Sequence, residues 1–366
     1  MIKAREIDKL LIISTLLLFA TGVLMTYSTT YIMAIKRYGD GYFFMKKHLW
    51  SGIIALTMFM ISMRVPYQTY RRFVYPLLIL SVIMLILVLM PGIGHTVGGA
   101  RRWLKIGSFT FQPSEFAKLS VIIYLAYSLS KKKEKVKIFS IGFLPHIVVT
   151  GAVMLLVLME RDFGTTMSLG AIALIMMFAA GVRISHIMSI FAAAIPFVYI
   201  IVTKKGYMMD RIMVFLNPWE DPAGKGFQII QSFLAFGAGG VWGTGLGEGK
   251  QKLFYLPEAH TDFIFSVIGE ELGLIGIGAI IFLYLVFLIS GIRISLRAPD
   301  LYGTYLAIGL TLLVSLQAVV NMAVVTGLLP TKGLTLPFIS YGGTSLLVNM
   351  IGVGMLLNIY IKGQET

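Results

Sequence analysis

The sequence predicts an all-α polytopic integral membrane protein with ten transmembrane helices, both termini cytoplasmic, and a large extracytoplasmic loop between helices 7 and 8. Three observations carry that prediction. Of 366 residues, 57% are hydrophobic and 13% charged, against about 25% charged in soluble domains, and the mean hydropathy is +0.85. The apolar residues gather into runs of about 18–30, the length that crosses hydrocarbon as a helix. The connectors between runs alternate in character, short and basic on one side, long and rich in Gly, Pro and aromatic residues on the other.

The runs fall near residues 8–28, 46–63, 73–90, 113–130, 139–159, 164–182, 184–203, 262–292, 302–329 and 343–361. The first is long enough to span, and no small-residue cleavage site follows it, which speaks against a removed signal peptide. If every run crosses, one side collects Lys3, Arg5 and Lys9, then Arg64, Arg71 and Arg72, then the basic connector from Lys131 to Lys137, then Arg293 and Arg297. The excess of positive charge marks that side as cytoplasmic. Lys36, Arg37, Lys46 and Lys47 fall on the opposite side, so the rule supports the orientation without deciding it. The formal net charge of +14 belongs to these flanks and to contact with anionic lipid. No soluble domain is left to present a basic face to nucleic acid. With no cysteine, disulfides, thiolate metal sites and cysteine nucleophiles are excluded together.

Residues 1–366 read as a single membrane domain with three unusual connectors, 91–112, 204–261 and 330–342, all on the outer side. Long structured loops on one face point to function on that face. The 204–261 segment ends in Leu256-Pro-Glu-Ala-His-Thr-Asp262 and runs straight into span eight, so Asp262 falls at the seam between water and bilayer. On a continuous helix Ser266, Gly269, Gly273 and Gly276 lie within about 40° of Asp262. They form a small-residue stripe suited to another helix or to a lipid tail. Glu270 and Glu271 lie off that stripe, and Glu270 has no evident role.

Other motifs carry charge toward the same side. Span four opens with Gln112-Pro113-Ser114-Glu115, where proline at the first helical position is a start signal. Glu115 and Lys118, three apart, can pair on one face. Intramembrane charges of this kind raise a functional question by default, although a bundle-stabilising pair explains them equally well. Arg101, Arg102 and Trp103 sit just above that helix: an anchor at the interface, or a sugar-stacking Trp beside guanidiniums that grip pyrophosphate. Asp162 is placed to cap span six. His260 and Asp262 make an H-x-D pair, half of a metal site at most. The run Gly237 to Gly249 is Gly-rich but lacks the strand and helix of a dinucleotide fingerprint. It reads as a re-entrant loop or as an amide nest for a phosphate. Ahead of it, apolar residues at 227, 230, 233 and 234 suit a short interfacial helix.

The segments Gly99-Ala-Arg-Arg-Trp103, Phe111-Gln-Pro-Ser-Glu115-Phe-Ala-Lys118, Pro257-Glu-Ala-His-Thr-Asp262-Phe and Leu329-Pro-Thr-Lys332-Gly-Leu-Thr-Leu-Pro-Phe-Ile-Ser-Tyr341 resemble the SEDS family (shape, elongation, division and sporulation). They appear in the same order and span nearly the whole chain. The Ala259-His260 pair and the Pro330-Thr-Lys332 run are similar to the division branch more than to the elongation branch. One departure stands out: Glu160-Arg161-Asp162 replaces the family's frequent Gln-Pro-Asp. The resemblance implies a ten-helix glycosyltransferase that polymerises lipid II on the outer face of the bacterial cytoplasmic (inner) membrane, at the division site. Its implied partners are lipid II, the growing lipid-linked glycan, a class B penicillin-binding protein transpeptidase and other division-complex membrane proteins. It places the essential acid on Asp262 and the loop tryptophan on Trp103. Arg101, Arg102, Glu115, Lys118, His260 and Lys332 are the expected substrate-binding residues, and a divalent cation (Mg or Mn) on Asp262 is an open expectation. The rival readings are a lipid flippase lined by Glu115, Lys118 and Glu270, an elongation-type polymerase, and a non-catalytic scaffold.

Overall fold

The computed structural model describes residues 8–365, apart from 98, 108, 205 and 253–255. Lys3 and Arg5, part of the orientation argument, lie outside the described residues. Local signals start and stop the helices. Helix α1 (Lys9–Tyr38) is capped by Asp8, whose carboxylate accepts from the Leu11 amide at 3.0 Å. It ends at Gly39, whose φ of 71° lets its amide return to the Ile35 carbonyl. Helices α2 (Phe43–Arg64), α3 (Val74–Leu89) and α4 (Pro113–Lys132) follow, α4 with Pro113 in its first turn. Then come α5 (Leu144–Met159), α6 (Phe163–Ala179) and α7 (Ile184–Lys204). Asp162 caps α6 by accepting from the Thr165 amide at 3.1 Å. Two shorter helices, α8 (Gly206–Leu216) and α9 (Phe227–Gly239), precede α10 (Ile264–Leu296), α11 (Leu301–Val325) and α12 (Gly343–Gly363).

Each of the ten expected spans overlaps one helix. By length and composition, five described helices are able to cross a membrane, and α3, α6 and α9 are shorter apolar helices. The chain is a mostly helical, multi-pass membrane protein. Helix α12 packs along α2, while α11 runs between α4 and α10 and also touches α6, so α11 is the hub of the bundle. Connectors segregate to two ends. At one, the Tyr67 amide donates to Asn358 at 2.8 Å, and Arg71 pairs with Asp300 at 2.5 Å. At the other, the segments around 102, 160–162, 262 and 333 converge.

Three expectations need correction. The fold is not strictly all-α: residues of the 91–112 connector form a small antiparallel sheet, β1 (Gly94–Val97), β2 (Ala100–Ile106) and β3 (Phe109–Phe111). Turns at Gly99 and Gly107, both at positive φ, fold it back on itself. The 204–261 segment is not a bare loop: it carries α8 as well as α9, the short helix expected near 227–234, and α9 buries Ile229, Ile230 and Ala235. Span eight is not a continuous helix: Gly273 breaks α10 with φ 63° and ψ −163°, a conformation essentially confined to glycine. The 100° projection therefore fails beyond that residue.

The break has a filler. Backbone polar groups released inside a bundle must find partners, and the Gly-rich run supplies them. Thr244 and Gly245 donate to the carbonyls of Glu270 and Glu271 at 2.9 and 3.1 Å, and Leu274 donates to the Gly240 carbonyl at 3.0 Å. The amides near the end of the run and just past it serve the protein's own carboxylates. Gly247 donates to Glu271, and Lys250 and Gln251 donate to Glu270. Lys252 Nζ closes on Glu271 at 2.6 Å, and Ser28 of α1 donates to the same carboxylate. Glu270, without a role in the sequence, anchors this loop. The small-residue stripe is likewise occupied: Ser266 meets Ser232 of α9 at 2.6 Å, and a side chain at Gly239 would overlap the Gly269 carbonyl. At Ser266 and Gly269 the stripe is a seat for α9, with no room for a lipid tail.

Candidate active site

Asp262 lies in the turn before α10, two residues short of the helix. Three consecutive carbonyls fix its backbone. The His260 carbonyl accepts from the Tyr341 amide at 3.0 Å, that of Thr261 from the Ser340 hydroxyl at 2.6 Å, and that of Asp262 from Asn321 Nδ2 at 2.8 Å. A turn that would fray in isolation is clamped by α11 and by the segment before α12.

Strand alternation sorts the Arg-Arg-Trp motif. Side chains two apart share a face, so Arg102 points away from Arg101 and Trp103. Arg102 reaches the α5–α6 turn, donating to the Arg161 carbonyl at 2.7 Å and approaching Asp162 at 4.0 Å. Arg101 donates instead to the Leu89 carbonyl at the end of α3. Only one of the two arginines is brought to Asp262. Trp103 is half-buried on β2, opposite His95, on the Arg101 side of the strand.

The segment 331–335 passes beside the carboxylate. A side chain at Gly333 would sit 3.2 Å from Asp262 Oδ2 and 3.8 Å from Arg102 Nη1, so both groups flank one bare stretch of backbone. The neighbouring Lys332 is half-buried, with its amine against Met167 of α6. Arg211 of α8 donates to the Thr331 carbonyl at 2.6 Å. Arg211 is absent from the sequence-derived site; among the lysines of that long loop it stands out only as an arginine.

Burial lifts the Asp262 carboxyl from its ordinary 3.8 to about 7, reinforced by Glu258 and Asp162 and opposed by Arg102 and Arg211. Desolvation of the charged form is the dominant cause. Burial also pushes Glu160 to about 9, with Asp162 adding and Arg102 opposing. Burial lowers His260 and Lys332, the latter helped by Arg211. His260 packs among Phe44 and Tyr341, an aromatic setting and not a ligand shell.

Glu115 and Lys118 stand apart. Both are buried, 4% and 1% exposed, and paired at 2.8 Å. Lys118 Nζ also donates to Gln317 Oε1 at 2.7 Å. They underlie the site without facing Asp262. Among the described residues no three His, Asp or Glu side chains converge to hold a metal ion. Of the carboxylates in electrostatic range of Asp262, Asp162 caps α6 beside Arg102 and Glu258 holds Thr261, so a divalent cation would meet Asp262 with two guanidiniums close by. That donor set does not fit, and no step below runs through a metal.

A carboxyl raised toward neutrality and rimmed by cations thus stands at one end of a helical membrane bundle. The comparisons agree on the lineage. Residues 8–365 match the family model FtsW/RodA/SpoVE, described as cell cycle protein; the chain belongs to this family, the SEDS proteins. It is 49% identical over 352 residues to the probable peptidoglycan glycosyltransferase FtsW of Geobacter sulfurreducens, covering 96% of this chain and 94% of that one. It is 44% identical to the stage V sporulation protein E of Bacillus subtilis, covering 96% and 95%. Among solved structures, it superposes on a chain of a peptidoglycan synthase complex that coordinates polymerization and crosslinking, with TM-score 0.81, 27% identity and 98% and 99% coverage. It shares the fold of the Thermus thermophilus rod shape determining protein RodA, with TM-score 0.71, 24% identity and 97% and 96% coverage.

Proposed function

We propose that this protein is a peptidoglycan glycosyltransferase that polymerises lipid II into glycan strands for septal wall synthesis, with Asp262 as general base. The observation that carries the reading is a carboxyl held at about 7 by a clamped turn, beside Arg102. Its charge is half developed at neutral pH, where a base works best. The sequence alone implies an ordinary aspartate, already ionised and a weak base; burial supplies the missing basicity.

In the proposed step Asp262 takes the proton from the 4-hydroxyl of one lipid-linked sugar as that oxygen attacks the anomeric carbon of the other. A C–O bond forms there, the bond to the lipid pyrophosphate breaks, and the pyrophosphate leaves with the electron pair. Arg102, Arg211 and Lys332 are the cations disposed to meet its growing negative charge. Trp103 offers an aromatic face for sugar on the Arg101 side of β2. Glu115 and Lys118 support the site from below, and His260 shapes its wall.

The reading takes the converging end as the outer face of the cytoplasmic membrane, with ten spans crossing and both termini inside. The 91–112, 204–261 and 330–342 segments are then its outer parts. Relatives named FtsW at 46–50% identity favour the division role over elongation. The class B penicillin-binding protein is the expected partner, since the matched synthase complex joins polymerization to crosslinking. A flippase needs an open polar path, whereas Glu115 and Lys118 close on each other and on Gln317.

The test is polymerisation of purified lipid II in detergent, with the cognate transpeptidase present. Glycan strands should form, and Asp262→Asn should lose about 10²–10⁴-fold in rate. A variant of that kind working at the wild-type rate would sink the base assignment. Absence of strands from wild type with its partner would sink the polymerase reading.

A further inference from the structure

Helix α11 carries two carboxamides four residues apart, Gln317 and Asn321, both 2% exposed and on one helix face. Neither has a role in the reading above beyond the contacts already described. Each reaches the segment that passes Asp262. Asn321 Nδ2 donates to the Leu334 carbonyl at 2.6 Å and to the Asp262 carbonyl at 2.8 Å. Gln317 Nε2 donates to the Thr335 carbonyl at 2.9 Å and to its hydroxyl at 3.1 Å, while its Oε1 accepts from Lys118. With Arg211 on the Thr331 carbonyl, the backbone from 331 to 335 is gripped on both sides of Gly333, the residue set between Asp262 and Arg102.

We propose that Gln317 and Asn321 are positioning residues for glycosyl transfer: through two adjacent carbonyls and that of Asp262 itself, they fix the gap between the base and Arg102. The inference rests on the polymerase reading. Its chemistry is geometric. A carboxamide hydrogen donates to a carbonyl only from the correct side, so each amide allows one placement of the backbone. Misplacing a reacting group by about 1 Å costs as much as 10²-fold in rate. Gln317 also explains why Lys118 belongs to the site without touching it: Lys118 fixes the oxygen of Gln317 and thereby turns its NH2 toward Thr335. Buried Asn321 Oδ1 has no partner, so what holds this side chain in place is its two donated bonds.

Two variants separate positioning from mere packing. Gln317→Glu keeps the acceptor for Lys118 and removes the donor to Thr335. Asn321→Leu keeps the volume and removes both donated bonds. Lipid II polymerisation by the protein with its partner transpeptidase, measured against substrate concentration and pH, should show kcat lower by about tenfold or more in each, with KM within about threefold. In Asn321→Leu the acid limb of the rate profile, set by Asp262 near 7, should move toward lower pH as water reaches the loosened turn. Folded yield of each variant is read in parallel by thermal unfolding in detergent. The proposal is overturned if the variants lose only yield, with kcat per folded molecule and the acid limb unchanged. It is also overturned if Gln317→Glu turns over at the wild-type rate. Failure of the function reading looks different: wild type makes no strands, or Asp262→Asn remains active.

Discussion

Asp262 differs from an ordinary aspartate in what surrounds it, and that difference sets two pH dependences. Its pKa rises from 3.8 to about 7, so kcat/KM for lipid II should climb with pH through about 7 and level off above. An activity flat between pH 5 and 8 would contradict the base assignment. Stability runs the other way. Between 3.8 and about 7 the folded protein holds a proton the unfolded chain releases, so stability falls as pH rises through that window. Asp262→Asn removes the charge and should unfold at higher temperature than wild type at pH 8, the gap closing below about pH 4. Glu160 adds to the same electrostatics: 1% exposed, with neither carboxylate oxygen partnered, and pushed to about 9, it stays neutral beside Arg102. It stands where the family often carries Gln, and a protonated acid is the carboxyl form closest to that amide. Glu160→Gln should therefore preserve the polymerisation rate at pH 7 within about twofold, since a neutral group replaces a neutral group.

The break in α10 shows how a glycine and a loop make one device. Gly273 adopts a backbone that L side chains rarely take, and a Cβ there would meet the Gly243 nitrogen at 2.4 Å and the Val241 carbonyl at 2.5 Å. Backbone cannot swing aside as a side chain can. Gly273→Ala should cost about 1–3 kcal/mol from conformation alone, plus the displacement of the 240–245 loop, read as a lower unfolding temperature in detergent. Glu270 and Glu271 then matter as anchors for that loop, with Lys252 and Ser28 tying it to α1. A similar economy governs β2, where alternation decides that Arg102 faces the acid and Arg101 the end of α3.

The bundle depends on charges it has buried. Glu115 Oε1 pairs with Lys118, which also reaches Gln317, while Glu115 Oε2 stays buried without a partner, so removing one residue of the pair leaves the other stranded. Loss of a single partner from a buried pair typically costs about 3–5 kcal/mol. Lys118→Met should lower folded yield more than the double variant Glu115→Gln with Lys118→Met. If the single and double variants unfold at the same temperature, the pair is not a structural unit. Because α11 touches α4, α6, α10 and α12, the same helix that closes this pair also carries the amides that hold Asp262. Core and catalytic rim are thereby coupled through one element.

Much of this was written in the sequence. Apolar runs long enough to cross a bilayer dictate the helices, Pro113, Asp162 and Gly39 punctuate them, and Asp262 is exposed as a candidate by its place at a polar-to-apolar seam. The sheet of residues 94–111 was not read from the sequence: Arg102 and Trp103 break the alternation from Ala100 to Ile106, and the strands are too short to stand out from an outer loop. Other features had no local signal. A break at Gly273 is stable only because a segment thirty residues upstream fills it. Arg211, Gln317 and Asn321 gain meaning only from the carbonyls they meet, and a carboxyl moves to about 7 only when other elements take it from water. Periodicity and hydropathy are properties of neighbouring residues, so the chain determined its own elements and its candidate acid. Hydrogen bonds across elements and desolvation are properties of the assembled bundle, and these alone decided what that acid is able to do.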